Sequence, residues 1–85
     1  MTTFLHQVAD PMGVHARPAG LLVKFIKELP ASVTLVTDRG KAEGDKLLAI
    51  MKLNIRHGET VTFQLEGPDA QQHASALQQF CREYL

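Results

Sequence analysis

Apolar and polar residues alternate in the segment ETVTFQLEG, residues 59–67. Successive side chains of a β-strand point to opposite faces of the sheet, so Val61, Phe63 and Leu65 share one face and the polar residues between them share the other. A strand of this kind belongs to a sheet that is covered on one side and open to solvent on the other. The rest of the chain must therefore supply helices that cover a single face.

Two longer segments have the spacing of amphipathic helices. In residues 16–29 the apolar positions fall on one side of a helix, and they are Ala19, Leu22, Val23, Ile26 and Leu29. In residues 68–85 a second stripe comprises Ala70, His73, Leu77, Phe80, Cys81 and Tyr84. Pro68 is predicted in the first turn of that helix, with Asp69 at the positive end of the helix dipole. A shorter helix is predicted over about 46–53 and is stopped by Asn54.

Three further strands are predicted from alternation and from β-branched residues. They cover residues 3–9, residues 32–37 and, after a hairpin turn at Asp38-Arg39-Gly40, residues 40–43. The order βαββαβα predicts an α+β fold of the open-faced β-sandwich type, in which a four-stranded antiparallel sheet carries three helices on one face. No repeat or linker divides the chain, so residues 1–85 are expected to form a single domain.

The charge balance excludes some classes of partner. Nine Lys and Arg residues equal nine Asp and Glu residues, which argues against the basic field that nucleic-acid binding requires. The lone Cys81 cannot form an internal disulfide, and this fits a reducing compartment. No apolar run approaches the ~20 residues of a membrane span, and the first residues do not resemble a signal peptide. We therefore expect a cytoplasmic monomer or weak oligomer without membrane insertion.

The segment PMGVHARPAG, residues 11–20, places a histidine directly before the first predicted helix. The first amides of a helix have no internal partner and lie at the positive end of the dipole, so this end attracts anions such as phosphate. Gly13 allows a tight approach of the preceding loop, and Pro18 suits the first turn because its missing amide hydrogen leaves little unsatisfied. Arg17 adds a fixed positive charge next to His15.

A neutral imidazole at such a helix end is suited to carry a phosphoryl group, because its N–P bond remains reactive. The spacing by itself leaves two interpretations open. His15 is either a phosphoryl acceptor or a polar residue that caps the helix of a small ligand-sensing or assembly module.

The motif GVHARPAG closely resembles the active-site motif of the HPr family, the histidine-containing phosphocarriers of the bacterial sugar phosphotransferase system. The segment DKLLAIMKLNIRHGETVTFQLEGPDA, residues 45–70, is similar to that family's second helix, fourth strand and entry to the last helix. The resemblance extends over nearly all 85 residues. It implies the same open-faced βαββαβα sandwich that the pattern predicts.

The resemblance also implies a mechanism. Nδ1 of His15 would accept a phosphoryl group from phosphorylated enzyme I and pass it to a histidine of an enzyme IIA domain. Arg17 would stabilise the phosphate charge, and the amides of Ala16 and Arg17 would bind its oxygens. No cofactor and no metal of the carrier itself are expected.

Docking to these partners implies a small surface that is apolar at the centre and basic at the rim. The residues expected to form it are Met12, Gly20, Lys24, Lys27, Lys46, Leu47, Leu48 and Met51. Core packing is the alternative interpretation for the apolar members, with Leu48 or Ile50 as the residue that could be buried.

One position departs from the family pattern. Many HPr proteins carry a regulatory serine at the start of the second helix, where this chain has Lys46 preceded by Asp45. Regulation by a serine kinase at that position is therefore doubtful, and Asp45 is predicted to cap the helix. The departure keeps paralogous functions open: a nitrogen-linked phosphotransferase branch or a phosphoenolpyruvate-dependent dihydroxyacetone kinase.

The other histidines receive structural interpretations. His6 is expected to be a hydrogen-bonded core or edge residue of the first strand, His57 a turn residue, and His73 a packing residue of the last helix.

Overall fold

The computed structural model describes all residues from Met1 to Leu85. Its seven elements follow the predicted order, and their bounds are β1 Thr2–Gln7, α1 Ala16–Lys27, β2 Ser32–Thr37, β3 Gly40–Glu43, α2 Leu47–Lys52, β4 Thr60–Glu66 and α3 Ala70–Tyr84. None of the helices has the length and apolar character needed to cross a membrane. The βαββαβα order predicted from the sequence is confirmed.

The four strands form one antiparallel sheet in the order β1-β4-β2-β3. The strand with the clearest alternation, β4, lies inside the sheet and pairs with β1 on one side and β2 on the other. Phe63 stands opposite Phe4 of β1 and Leu35 of β2, and the Phe4 and Phe63 rings stack with centroids 4.9 Å apart. The register therefore aligns the apolar faces of three strands.

A single core lies between this face and the helices. It contains 19 buried hydrophobic residues, and no charged side chain is buried. In α1 the buried residues include Ala19, Leu22, Val23 and Ile26, four of the five positions predicted from the helical spacing. The open-faced α+β sandwich is thus confirmed, with the helices on one side of the sheet.

Helix α1 and strand β1 both end two residues earlier than predicted. Helix α1 ends at Lys27 rather than at residue 29, because Leu29 precedes Pro30 and a residue before proline disfavours the helical conformation. Strand β1 ends at Gln7, although Val8 beyond it is fully buried. Side-chain burial thus continues past the last ladder pair of the strand.

The start and the buried stripe of α3 differ from the prediction. Pro68 lies outside the helix, and Asp69 is its N-cap in a left-handed conformation with φ of 57° and no side-chain cap hydrogen bond. The buried residues are Ala74, Leu77 and Cys81, whereas Tyr84 is 47% exposed. The predicted stripe ran along one edge of the buried face, because its aromatic members pack beside the core: Phe80 stacks on Phe25 and contacts Tyr84.

The prediction that His6 is hydrogen-bonded is wrong. Its side chain is half-buried on the inner face of β1, and its buried Nε2 has no hydrogen-bond partner. Strand β1 is packed against α3 there, and the neighbouring inner residues are apolar.

Candidate phosphoryl-transfer site

The first residues of α1 form the centre of the site. His15 is the N-cap, with an extended backbone (φ −92°, ψ −177°), and its carbonyl accepts a hydrogen bond of 3.0 Å from the amide of Ala19. The amides of Ala16 and Arg17 precede the first helical hydrogen bond and have no acceptor, and Pro18 has no amide hydrogen. Two backbone donors thus remain free immediately after His15.

The imidazole of His15 does not cap the helix. No side-chain hydrogen bond to the helix is formed, and the side chain is 35% exposed. Its Nε2 lies 3.7 Å from Oδ2 of Asp10, which is beyond hydrogen-bond distance but within reach of charge attraction. Nδ1 has no hydrogen-bond partner within the protein.

Asp10 is a member of the site that the sequence interpretation missed. Its Oδ1 accepts a hydrogen bond of 2.8 Å from the amide of Met12, and its carbonyl accepts one of 2.9 Å from the amide of Gly13. The sequence signal was available: an aspartate that begins a turn with proline and glycine favours this side-chain-to-backbone bond. The turn directs the second carboxylate oxygen towards His15.

Gly13 lies in a tight turn, as predicted, and its backbone also lies against Ile55 and Arg56, a contact that the sequence did not predict. Its φ is 71°, and a Cβ at this position would clash with the carbonyl oxygen of Ile55 and lie 2.8 Å from Cα of Arg56. The same Ile55 carbonyl accepts a hydrogen bond of 2.9 Å from the amide of Val14. Only glycine allows the two backbones to approach this closely directly before His15.

Residues 8–15, here called the His15 loop, rest on residues 53–59, here called the α2–β4 connection. The amide of Val8 donates to the carbonyl of Glu59 at 2.9 Å, and the amide of Gly58 donates to the carbonyl of Val8 at 2.8 Å. Nδ1 of His57 lies 3.3 Å from the carbonyl oxygen of Asp10. His57 is a turn residue, as predicted, and it also contacts the site loop.

The α2–β4 connection is itself held by an ion pair that the sequence interpretation did not anticipate. Both carboxylate oxygens of Glu59 accept hydrogen bonds of 2.7 Å from the guanidinium of Arg39, and the amide of Arg56 donates to the same carboxylate at 2.6 Å. These hydrogen bonds lower the pKa of Glu59 to about 2, with the Arg39 bond as the largest cause, and the Glu59 carboxylate raises the pKa of Arg39.

Most of the residues predicted for the docking surface are exposed. Arg17, Lys24 and Lys27 are exposed on α1 and take part in no ion pair, while Met12 is exposed in the His15 loop. Gly20 lies on α1 with no atom within 4 Å of an added Cβ, so it leaves open space.

Helix α2, which packs against α1, divides its apolar residues between surface and core. Leu48 is 72% exposed, and Leu47 and Met51 are also exposed, whereas Ile50 is fully buried. Of the two residues for which core packing was considered, Ile50 is therefore the buried one.

The prediction that Asp45 caps α2 is wrong. The N-cap is Lys46, in an extended conformation, and no side chain caps the helix. Since Lys46 is exposed at the positive end of the short helix, its charge is mildly unfavourable there and remains available to solvent.

The site contains neither a cluster of metal ligands nor a thiol. No cluster of three or more His, Cys, Asp or Glu side chains has a geometry that could hold a metal ion. Cys81 is buried in the core, and burial raises the pKa of its thiol to about 12.

A comparison with protein families shows which family the chain belongs to. Residues 3–83 match the family model described as "PTS HPr component phosphorylation site". The chain belongs to the HPr family. The match covers almost the whole chain and confirms the family that the resemblance of GVHARPAG implied.

Individual HPr proteins are similar to this chain in sequence and fold. The phosphocarrier protein HPr of Lysinibacillus sphaericus is 34% identical over 77 residues, which cover 91% of this chain and 88% of that protein. The structure of the histidine-containing phosphocarrier protein of Mycoplasma matches with a TM-score of 0.90 at 27% identity, covering 96% of this chain and 93% of that one.

The chain is also similar to part of a longer protein. The phosphoryl donor subunit DhaM of a PEP-dependent dihydroxyacetone kinase from Providencia stuartii is 29% identical over 75 residues. These residues cover 88% of this chain and 16% of DhaM.

Proposed function

We propose that this HPr-family protein carries a phosphoryl group on Nδ1 of His15, receives it from phosphorylated enzyme I and passes it to an enzyme IIA domain during sugar uptake. The supporting observation is an exposed imidazole whose Nδ1 has no partner, followed by two free backbone amides and an unpaired Arg17. The protein acts as a carrier in the cytoplasm, as a monomer, and catalyses no turnover by itself.

The transfer balances without a further reactant. The lone pair of Nδ1 attacks the phosphorus of a phosphohistidine on the donor, the donor N–P bond breaks, and its electron pair returns to the donor imidazole. The new N–P bond is made to His15, and the second transfer repeats the exchange with the acceptor histidine. The protein must therefore stabilise a phosphoryl group with developing negative charge on its equatorial oxygens.

The residues around His15 are suited to that charge. The amides of Ala16 and Arg17 can donate to phosphoryl oxygens at the positive end of α1, and the guanidinium of Arg17 can add a two-pronged contact. Asp10 acts on the other side of the ring. Its carboxylate, 3.7 Å from Nε2, favours the tautomer that has hydrogen on Nε2 and leaves the lone pair on Nδ1.

Partner docking uses the exposed face of α2 and the basic face of α1. Leu47, Leu48 and Met51 supply apolar area that is not needed for the core, and Met12 adds an adaptable thioether beside the site. Lys24, Lys27 and Lys46 place positive charge around them and steer an acidic partner surface. Gly20 leaves room for close approach.

A second candidate is supported by the similarity to DhaM. In that case the chain serves a phosphoenolpyruvate-dependent dihydroxyacetone kinase, with the same histidine chemistry and a different acceptor. The two candidates differ only in the protein that takes the phosphoryl group, so acceptor competition distinguishes them.

The test incubates the protein with phosphoenolpyruvate, magnesium and an enzyme I of the phosphotransferase system. We expect one phosphate per chain that is stable in alkali and labile in acid, which is the behaviour of phosphohistidine. A His15→Ala variant is expected to take up no phosphate, and His73→Ala serves as the matched control because His73 lies on α3 and makes no hydrogen bond to the His15 loop.

The acceptor is then identified by adding purified enzyme IIA domains or the dihydroxyacetone kinase subunits to the phosphorylated protein. Full labelling of the His15→Ala variant, or no labelling of the wild type, would contradict the proposal. In the first case another residue would accept the phosphate, and in the second the protein would be a binding module in which His15 only precedes a helix.

A further inference from the structure

The His15 loop depends on few external contacts. Apart from the bond that the His15 carbonyl accepts from Ala19, its backbone hydrogen bonds to the rest of the chain go to the α2–β4 connection, through Val8 and Val14, and to the carbonyl oxygen of Leu85, through the amides of Ala9 and Asp10. The bond nearest to His15 is the one from the amide of Val14 to Ile55. Ile55 is therefore the residue of the connection that holds the backbone directly before His15.

Two side chains from other parts of the chain hydrogen-bond to the connection: Gln7 donates through Nε2 to the carbonyl of Gly58 at 3.2 Å, and Arg39 makes four bonds. The guanidinium of Arg39, from the turn between β2 and β3, donates through Nε to the carbonyl of Leu53 at 3.0 Å and through Nη2 to the carbonyl of Asn54 at 3.3 Å. Its other bonds are the two of 2.7 Å to Glu59. Arg39 thus binds both ends of residues 53–59 and draws them together.

The chemistry of the contact is specific to arginine. The planar guanidinium presents several donors in a fixed fork, so it can reach two carbonyls and both carboxylate oxygens at once, which an ammonium group cannot do. Asn54 adopts a left-handed conformation, with φ of 51°, which asparagine tolerates better than most residues and which ends α2. The Leu53 and Asn54 carbonyls follow the last turn of α2 and gain donors from the same group.

We propose that Arg39 is a positioning residue for phosphoryl transfer, which holds the α2–β4 connection in the conformation that places His15. The inference rests on the proposed function, because it assigns Arg39 to the transfer reaction of His15. Arg39 acts through Glu59, Leu53 and Asn54 on Ile55, and through Ile55 on Val14.

Arg39 could instead act only as a positive charge that attracts acidic partners. Lys41 provides the matched control for this alternative. Lys41 lies two residues further along the same hairpin, is exposed and forms neither an ion pair nor a side-chain hydrogen bond. Removal of either charge weakens long-range attraction equally, whereas only the removal of Arg39 releases the connection.

The experiment measures phosphorylation of the carrier by phosphorylated enzyme I over a range of carrier concentrations. Arg39→Ala, Arg39→Lys, Glu59→Gln and Lys41→Ala are compared at a temperature where circular dichroism shows each to be folded. We expect kcat to fall about tenfold in Arg39→Ala, since small displacements of a reacting group cost this much or more. Arg39→Lys keeps the charge and loses the fork, so its kcat is expected to fall in the same direction.

The hydrogen-exchange rate of the Val14 amide is measured without a partner, so it does not depend on electrostatic attraction between the carrier and enzyme I. We expect its exchange rate to rise about tenfold in Arg39→Ala and Arg39→Lys, by local opening of the bond to Ile55, and to stay at the wild-type value in Lys41→Ala. If Arg39→Ala fails to fold, Arg39→Lys and Glu59→Gln carry the same comparison.

The outcomes separate the two proposals. Equal kcat and equal Val14 exchange in the Arg39 and Lys41 variants would overturn the positioning role while leaving phosphorylation of His15 intact. A wild type that takes no phosphate would contradict the proposed function, and the Val14 exchange rates would still decide whether Arg39 holds the loop.

Discussion

Gly13, two residues before His15, lies at a position where the backbone tolerates no side chain. Its left-handed φ and its contact with the Ile55 backbone are independent obstacles to any side chain. We expect Gly13→Ala to lower the free energy of unfolding by at least about 2 kcal/mol, because the left-handed conformation alone costs ~1–2 kcal/mol and the Ile55 and Arg56 backbone must move as well. Urea denaturation followed by circular dichroism measures this change.

The matched control for that substitution is Gly20→Ala. Gly20 is helical and partly exposed, and an added Cβ would meet no atom within 4 Å, so alanine there is expected to raise the stability by about 0.5–1 kcal/mol. Similar effects of the two substitutions would show that the close approach of Gly13 to Ile55 is not important for stability.

Arg17 is a residue whose loss should affect transfer without affecting folding. It is exposed and forms no ion pair, so Arg17→Ala leaves the packed interior unchanged. We expect kcat/KM for phosphorylation by enzyme I to fall roughly a hundredfold, the usual effect of removing one group that stabilises transition-state charge. The rate is measured together with thermal unfolding, and an unchanged rate would remove Arg17 from the mechanism.

At the scale of the element, α2 combines two tasks within six residues. Ile50 fills the core and Leu48 faces solvent, although both are aliphatic and only two positions apart. We expect Ile50→Ala to cost about 2–5 kcal/mol of stability through loss of buried contacts. Leu48→Ala is expected to change stability by less than ~0.5 kcal/mol and to raise the KM for partners.

Chemical denaturation and steady-state phosphorylation of these two variants distinguish the roles. If Leu48→Ala were as destabilising as Ile50→Ala, or if its KM for enzyme I and enzyme IIA stayed at the wild-type value, the docking surface on α2 would have to be placed elsewhere.

At the scale of the whole molecule, the Arg39–Glu59 pair connects the β2–β3 hairpin to the start of β4, and its effect depends on pH. The Glu59 carboxyl has a pKa of about 2 in the folded protein and 4.5 as its ordinary value. Protons therefore bind more strongly to the unfolded state, so the pair contributes fully above pH 4.5, and this contribution is lost as the pH falls through 2.

The measurement compares the urea stability of the wild type and Glu59→Gln from pH 7 to pH 2. We expect a stability difference that is constant near neutrality and declines steadily below pH 4.5, at low salt. A difference that does not depend on pH over this range would mean that the ionised form of Glu59 does not support the fold.

Local patterns predicted the architecture because the spacing of apolar residues follows the repeat of a strand or of a helix. The alternation in β4 and the helical spacing in α1 identified which side chains are buried, and the short GVHARPAG motif located His15 at a helix start. These features depend on residues that are close in sequence, where backbone geometry decides which side chains share a face.

Long-range contacts required the tertiary structure. The approach of Asp10 to His15 depends on how a turn is folded, and the exact start of α3 depends on the left-handed conformation of Asp69. Arg39 and Glu59 are twenty residues apart, and nothing in either local sequence indicates that a hairpin turn reaches the α2–β4 connection. The amino-acid sequence by itself determined the element order and the apolar faces, because these follow from local periodicity, and the GVHARPAG motif placed His15 at a helix start. Only the tertiary structure decided which polar groups meet around that histidine, because hydrogen bonds between distant segments form only after the sheet and helices have packed.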